Sequence, residues 1–426
     1  MTEASLMGET GIADQAISPG ANPRRASRIV WLLAISLGLL MTGFAITMPI
    51  FARRLGELGS GVGALSLMST AYALAGIAAS PVLGMLADRI GRRPLMLVSL
   101  ISYALANVGF VLATSTEMLI AIRALQGALS AGLMPATLGI VADIAPKDKR
   151  SRWIGFVTGG ASVGWVLGPL AGGVLYDVWG FAAPFLLSAG VGLLAFVAAA
   201  VLLPETYSQA TWQLRPLRRR PDEPATTPTR AESFWTTLPR PLSAFGVLLF
   251  ISFAMYFAWA FFEPRLLFYV FDDLGWTTAQ FGLAAGGYGA ASALGHTVLG
   301  RAGDKLGRKP PIVMGLILFS AQFVGLLFTN SLWLTLISFV IAGFGEGLAS
   351  PALGAFFLDI SKERHRARVM GIKSSATSLG GVVGPLLAAA IAASVTPQGS
   401  FAASVAIVLF GALLVLVVLQ EPRRCE

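Results

Sequence analysis

Charge-free apolar stretches long enough to cross a bilayer recur along this whole chain, and they leave it few ways to fold. Residues 29–52 form one such stretch and residues 58–87 the next. A helix needs roughly 20 consecutive apolar residues to traverse the hydrocarbon core. Barrel strands would instead alternate over about ten residues. These runs are continuous and rich in Gly, Ala and Leu, so helices are the solution that satisfies every backbone group inside lipid. Composition agrees: 12% of the 426 residues are charged and 55% hydrophobic, where a soluble domain carries about 25% charged residues.

Where a run is too long for one crossing, as at 374–420, a turn-like "VTPQGS" at 395–400 divides it. Applied throughout, this predicts spans near 29–52, 60–86, 95–116, 118–142, 153–176 and 180–203. A second set follows near 242–270, 278–300, 311–329, 332–358, 367–393 and 400–420. The expected fold is an all-α membrane protein of twelve transmembrane helices. Residues 1–28 lack an apolar signal region and read as a cytosolic tail. The single cysteine, Cys425, excludes an internal disulfide.

The formal net charge is +9, and its distribution argues against nucleic acid as the partner. Arg24, Arg25 and Arg28 precede the first span, Arg89, Arg92 and Arg93 follow the second, and Lys147, Lys149, Arg150 and Arg152 follow the fourth. The pattern continues through the 204–241 segment, the loop at 301–309, the loop at 362–368 and Arg423–Arg424. The other loops hold Arg53, Arg54, Glu57, Glu117, Asp177, Asp272 and Asp273, with Arg265 nearby. By the positive-inside rule both termini and every even-numbered loop are cytoplasmic.

The chain also repeats itself. "GMLADRIGRRP" at 84–94 returns as "GRAGDKLGRKP" at 300–310, and the same offset pairs Pro135 with Pro351, Asp143 with Asp359, Arg150 with Arg366, and Gly168-Pro169 with Gly384-Pro385. One register held across six helices reads as a six-span unit written twice in the same orientation. The expected organisation is a tail at 1–28, a six-helix half at 29–203, a Pro- and Arg-rich cytosolic linker at 204–241, a second half at 242–420 and a short tail at 421–426. Two parallel six-helix halves are the architecture of major facilitator transporters.

The motifs carry a resemblance to that superfamily. "GMLADRIGRRP" resembles its loop signature between the second and third helices, "RALQG" at 123–127 its fourth-helix signature, and "GWVLGPLAGG" at 164–173 its fifth-helix signature. The last is similar to the form found in twelve-span drug:proton antiporters. The resemblance implies alternating access by rocking of the halves and a cytoplasmic latch built on the repeated phrase.

In that phrase Asp88 stands where an adjacent helix start can present free N–H groups and a positive dipole end, and Asp304 is its counterpart in the second half. Gly84 permits close helix approach, Gly91 a tight turn, and Arg92 and Arg93 can pair with Asp88 or Asp143; Arg308 repeats Arg92. The other reading is a loop that only sets topology. On the fifth span, Gly160, Gly164, Gly168 and Gly172 recur every four residues beside Gly173, a ridge suited to close approach, and Pro169 removes a backbone bond. This reads either as a flexing helix or as a static packing seam.

Arg123 lies within the membrane with Gln126 on its face, so it either faces protein or a wet cavity or snorkels to the interface; the family's arginine is linked to proton movement. Proton coupling needs a carboxylate whose ionisation is costly when dry. Glu346, near the middle of the tenth span, fits best. Glu263 is second, nearer the outer end of the seventh and followed by Pro264, a residue able to break the helix there. Either acid can also serve a structural hydrogen bond. The first helix, "LLMTGFAITMPI", lacks the acid that many such antiporters carry. Lys373 and His296 are read as snorkelling or local packing. The aromatics of "FISFAMYFAWAFF" at 250–262 face either a cavity, by stacking or cation-π contact, or lipid.

An enzyme is not expected. "GASVG" at 160–164 matches a nucleophile motif but lies inside an apolar helix and not on a strand-to-helix turn, and "GDKLGRKP" falls short of a phosphate-binding loop. With two histidines and one cysteine a metal centre is not expected either. The combined expectation is a monomeric, multi-pass secondary transporter of the inner (plasma) membrane, without cofactor, exporting a small amphipathic or drug-like compound against protons. The rivals are a proton-coupled uptake symporter of the same fold and a non-transporting receptor or scaffold.

Overall fold

The structure, a computed structural model, describes residues 23–144, 150–203, 238–299, 307–362 and 365–419. Every regular element among them is helical. The N-terminal set comprises α1 (Pro23–Glu57), α2 (Val62–Ile90), α3 (Arg92–Leu112), α4 (Thr116–Ser130), α5 (Leu133–Ile144), α6 (Arg150–Trp179) and α7 (Ala182–Leu202). The C-terminal set comprises α8 (Leu242–Phe268), α9 (Thr278–Leu294), α10 (Lys309–Phe319), α11 (Ala321–Phe328), α12 (Leu332–Asp359), α13 (Arg366–Ala390) and α14 (Pro397–Val418). Wider π-turns extend α8 over Tyr269–Asp273 and α9 over Gly295–Leu299.

Local chemistry sets the boundaries. The Ser115 hydroxyl accepts the Met118 N–H at the start of α4, and Thr277 forms a capping box with Gln280 at the start of α9, satisfying donors that a helix start leaves free. Gly91 and Gly307, equivalent positions of the repeat, carry φ of 98° and 90°, a region that favours glycine.

Two expected single spans are divided. The 118–142 span breaks at Ala131–Gly132 between α4 and α5; the ring of Pro135 crowds the carbonyl of residue 131, four positions earlier. The 311–329 span breaks at Ser320, whose hydroxyl donates back to the Ile317 carbonyl at 2.7 Å, an arrangement that bends helices. Pro264, a residue able to break its helix, lies inside a continuous α8, and the irregular turn comes five residues later at Tyr269. A proline disturbs the turn before it, and α8 absorbs this without ending.

Among the described residues, ten helical runs are long and apolar enough to cross a membrane; each of the two divided spans counts as one run. Of the rest, α9 is 17 residues long and α13 opens with Arg366, Arg368 and Lys373. Apolar side chains such as Phe328, Val201 and Val417 stand on the outside, 84%, 75% and 74% exposed, as a hydrocarbon solvent allows.

The loops sort to two ends. At one, Arg54 donates to the Ala113 carbonyl and lies over Phe181, Ser60 pairs with Thr116, Arg265 donates to the carbonyls of Ile391 and Ala392, and Tyr269 donates to Asn330. At the basic end, Arg93 donates to the Ala200 carbonyl and Lys309 to that of Leu416. Within the N-terminal set α1 packs chiefly on α6 and α7, and within the C-terminal set α8 packs on α13 and α14. The sets meet where α6 lies on α9 and α2 on α13.

Candidate functional site

A cavity of about 580 Å³ lies between the two sets. From the N-terminal side α1 contributes Met48 and Pro49, and α6 contributes Ser162, Trp165 and Pro169. The C-terminal side supplies the ionisable groups: Glu263 on α8, His296 in the turn after α9, Glu346 on α12 and Lys373 on α13. The structure thus brings the two expected acids into one space. His296 and Lys373, expected to snorkel or pack locally, line it with them.

The aromatics of α8 divide by helical phase. Phe253, Phe257 and Phe261, four apart, stack in a ladder with centroids 5.4 and 5.5 Å apart. They belong to the seam with α13, where a Cβ on Gly380 would meet the Phe253 carbonyl oxygen at 2.6 Å. Tyr256 and Trp259 share the Glu263 face and line the cavity, Trp259 stacking on Tyr288 at 5.9 Å.

Arg123 and Gln126 do not line this cavity. Arg123 is 5% exposed and lies inside the N-terminal set, its Nη1 donating to Gln126 Oε1 at 2.7 Å. Its guanidinium sits 4.5 Å from the Tyr72 ring, 4.7 Å from Phe44 and 5.1 Å from Phe51. Such contacts are worth about 2 kcal/mol when desolvated, so aromatic faces substitute for lost water. Between the two orientations open to this arginine, it faces protein. Gln126 borders a second cavity of about 190 Å³ with Tyr72 and Tyr103.

The glycine ridge of α6 lies on α1. A Cβ on Gly160 would stand 2.5 Å from the Ala34 carbonyl oxygen, one on Gly164 2.5 Å from Thr42 N, and one on Gly168 2.5 Å from Ala45 Cβ; Gly172 abuts Ile46 in the same way. The other edge of α6 meets α9, with Gly173 against Thr278 and Gly282 against Pro169.

Of the expected latch, Asp304 lies outside the described residues; Gly84, Asp88 and Asp143 fall on α2 and α5, but their side chains lie outside the description. Gly91 takes the left-handed turn. Arg92 donates to the Gly139 carbonyl and Arg93 to that of Ala200. In the second copy Arg308 Nε meets Asp359 Oδ2 at 2.8 Å.

The end away from the basic loops is closed across the seam by contacts that sequence reasoning missed. Asp177 on α6 accepts the N–H groups of Thr278 and Ala279. Arg53 donates to the Trp276 carbonyl and lies 4.3 Å over the Phe271 ring. A signal for the receiving end existed in Thr277 and Gln280, a legible helix start; nothing in the sequence named Asp177 as its partner.

A bundle of long apolar helices around an acid-bearing, aromatic-walled cavity is the architecture of a multi-pass membrane transporter of small molecules. The Major Facilitator Superfamily profile matches residues 31–262 and 248–425, and the chain belongs to that superfamily. It is 26% identical over 399 residues to the quinolone resistance protein NorA of Staphylococcus aureus, covering 93% of this chain and 98% of that protein. It is 30% identical over 404 residues to the tetracycline resistance protein, class C, of Escherichia coli, covering 93% and 94%. Its fold is similar to that of a bacterial homolog of the human lysosomal transporter Spinster, with a TM-score of 0.74 at 17% identity over 93% of this chain and 97% of that one.

Proposed function

We propose that this protein exports a small amphipathic, drug-like compound in exchange for protons, by alternating access of two six-helix halves. The observation that carries the reading is that Glu263 and Glu346 share one aromatic-walled cavity. An acid in such a place can hold a proton or face a substrate cation, and aromatic walls suit an apolar body. The resistance proteins to which the chain is similar support the direction of transport.

The same reading takes α4–α5 and α10–α11 as single crossings and counts α9 and α13, giving twelve spans, with halves at 29–203 and 242–420 around the 204–241 linker. Both termini are cytoplasmic, the positive-inside rule supporting the choice, and the protein works as a monomer in the plasma membrane. The cavity lining reaches His296 and Lys373 toward the basic end, and the opposite end is closed by Asp177 and Arg53. With the basic end cytoplasmic, that arrangement is an inward-facing carrier. When the halves rock the other way, Asp88 and Asp304 latch the cytoplasmic side and α6 flexes around Pro169.

Everted vesicles with an acidic interior test this with ethidium as the probe. Accumulation that collapses on adding an uncoupler, and is lost in Glu346→Gln, is the expected result. Uptake driven by an inward proton gradient in intact cells would overturn export, and absence of any gradient-dependent flux would overturn transport of such a probe.

A further inference from the structure

Three polar side chains of the cavity touch one another. On α9 and its π-turn, Ser292 and His296 are one turn apart, with Ser292 Oγ 3.4 Å from His296 Nδ1. Across from them on α12, Glu346 accepts the Ser292 hydroxyl at Oε2 and holds Oε1 3.7 Å from His296 Nε2. Glycines make the approach possible: a Cβ on Gly347 would meet the Ser292 carbonyl oxygen at 2.6 Å and Gly295 Cα at 2.7 Å. The two helices therefore touch backbone to backbone beside the trio. His296 belongs to the π-turn Gly295–Leu299, a widened form that recurs at functional sites.

Proton counting limits what this trio can be. A serine hydroxyl has one hydrogen to give and lone pairs to receive. With that hydrogen committed to Glu346, Ser292 meets Nδ1 of His296 only as an acceptor, so Nδ1 carries a hydrogen. A neutral imidazole of that form has a bare lone pair on Nε2, and Nε2 faces Glu346 Oε1. Against an ionised carboxylate the lone pair is repelled. The contact becomes favourable when one proton lies between the two, either on Nε2 as imidazolium against carboxylate or on Oε1 as carboxylic acid against imidazole.

We infer that His296 and Glu346 are a single proton-binding unit, oriented by Ser292, which holds one proton in the form seen here and releases it to cavity water as the contact opens. Its place in a transport cycle rests on the proton-coupled reading above. Other ionisable groups face the unit: Tyr288 on α9 interacts electrostatically with Glu346, Lys373 reaches the cavity from α13, and Tyr256 and Glu263 reach it from α8. Ser162 and Trp165 on α6 and Phe319 on α10 line the same space and bring no charge. Because α9 also carries Gly282 against Pro169 of α6, release of α9 from α12 acts on the seam between the helix sets.

The chain's two histidines, His296 and His365, make the test direct: nitrogen-15 histidine spectra of the full-length protein in nanodiscs across pH, with His365→Gln for assignment. The neutral form of His296 is expected to carry its hydrogen on Nδ1, and Glu346→Gln to shift the His296 ring-nitrogen signals at fixed pH. A neutral form with hydrogen on Nε2, or ring-nitrogen signals that Glu346→Gln leaves unmoved, overturns the unit. In vesicles, His296→Gln is expected to lose about tenfold or more of proton-driven ethidium accumulation, with the pH dependence of the remaining flux changed. Accumulation that His296→Gln leaves intact would overturn a role for His296 in proton binding. Failure of the wild-type protein to move ethidium would count against the drug-export reading, and the spectra would still decide the unit.

Discussion

The two carboxylate oxygens of Asp177 lie 3.3 Å from the Thr278 N–H nitrogen and 2.8 Å from that of Ala279, so an acid in the last turn of α6 caps the first turn of α9 across the seam between the helix sets. Negative charge at a helix start meets the positive end of its dipole as well as its free donors.

Removing that cap should loosen the closed end. Loss of an N-cap costs about 1 kcal/mol, or about fivefold in the balance between closed and open forms. A cysteine at Met48, in a Cys425→Ser background, is expected to react about fivefold faster in Asp177→Ala with an impermeant thiol reagent added from the end opposite the basic loops. An unchanged rate would show that Arg53 and the apolar seam close this end without Asp177.

The glycines of α6 should differ sharply in tolerance. Gly168→Ala places a methyl 2.5 Å from Ala45 Cβ and 2.7 Å from the Thr42 carbonyl oxygen, and overpacking of this kind costs about 1–3 kcal/mol. Gly159 has open space where its Cβ would go, so Gly159→Ala should stabilise the helix by up to about 1 kcal/mol. Melting of the detergent-solubilised variants would place them on opposite sides of the wild type.

Arg123→Lys keeps the charge and loses the planar group that three aromatic rings and Gln126 hold. Lysine cannot reproduce a stacked guanidinium. Transport is expected to fall about tenfold or more, which corresponds to about 1.4 kcal/mol, with expression unchanged. Wild-type flux in this variant would reduce Arg123 to a simple positive charge.

The Arg308–Asp359 pair at the basic end should matter little for stability. Its side chains are 22% and 37% exposed, and pairs open to solvent contribute about 0.2–1 kcal/mol. Asp359→Asn is expected to leave the melting temperature within a degree or two, about what this energy can shift in a large chain. If transport drops while melting does not, the pair serves the cycle and not the fold.

The apolar runs gave the helices because hydrophobic length is a property of consecutive residues. The repeat's glycines gave the matching turns at Gly91 and Gly307, because a left-handed φ selects its residue type. The breaks at Ala131 and Ser320 were harder, since each depends on one carbonyl four or three positions back. Gly160 to Gly172 announced a close approach without naming α1 as the partner. His296 was read from its own span alone, because Glu346 is fifty positions away in the chain and is brought beside it by the contact of Gly295 with Gly347. Asp177 and the N–H groups it caps were separated in the same way. Sequence reports what a segment can do alone, and the site arises where segments meet.

The position of α6 has a mechanical consequence. One flank is sunk into α1 with no side-chain cushion between the backbones, and the other bears on α9. Sliding α6 along α1 would drive bare carbonyls past one another, so those two rods travel together. The other flank meets α9 just as closely, at Gly173 and Gly282, so the seam beside the cavity opens by tilting and not by sliding.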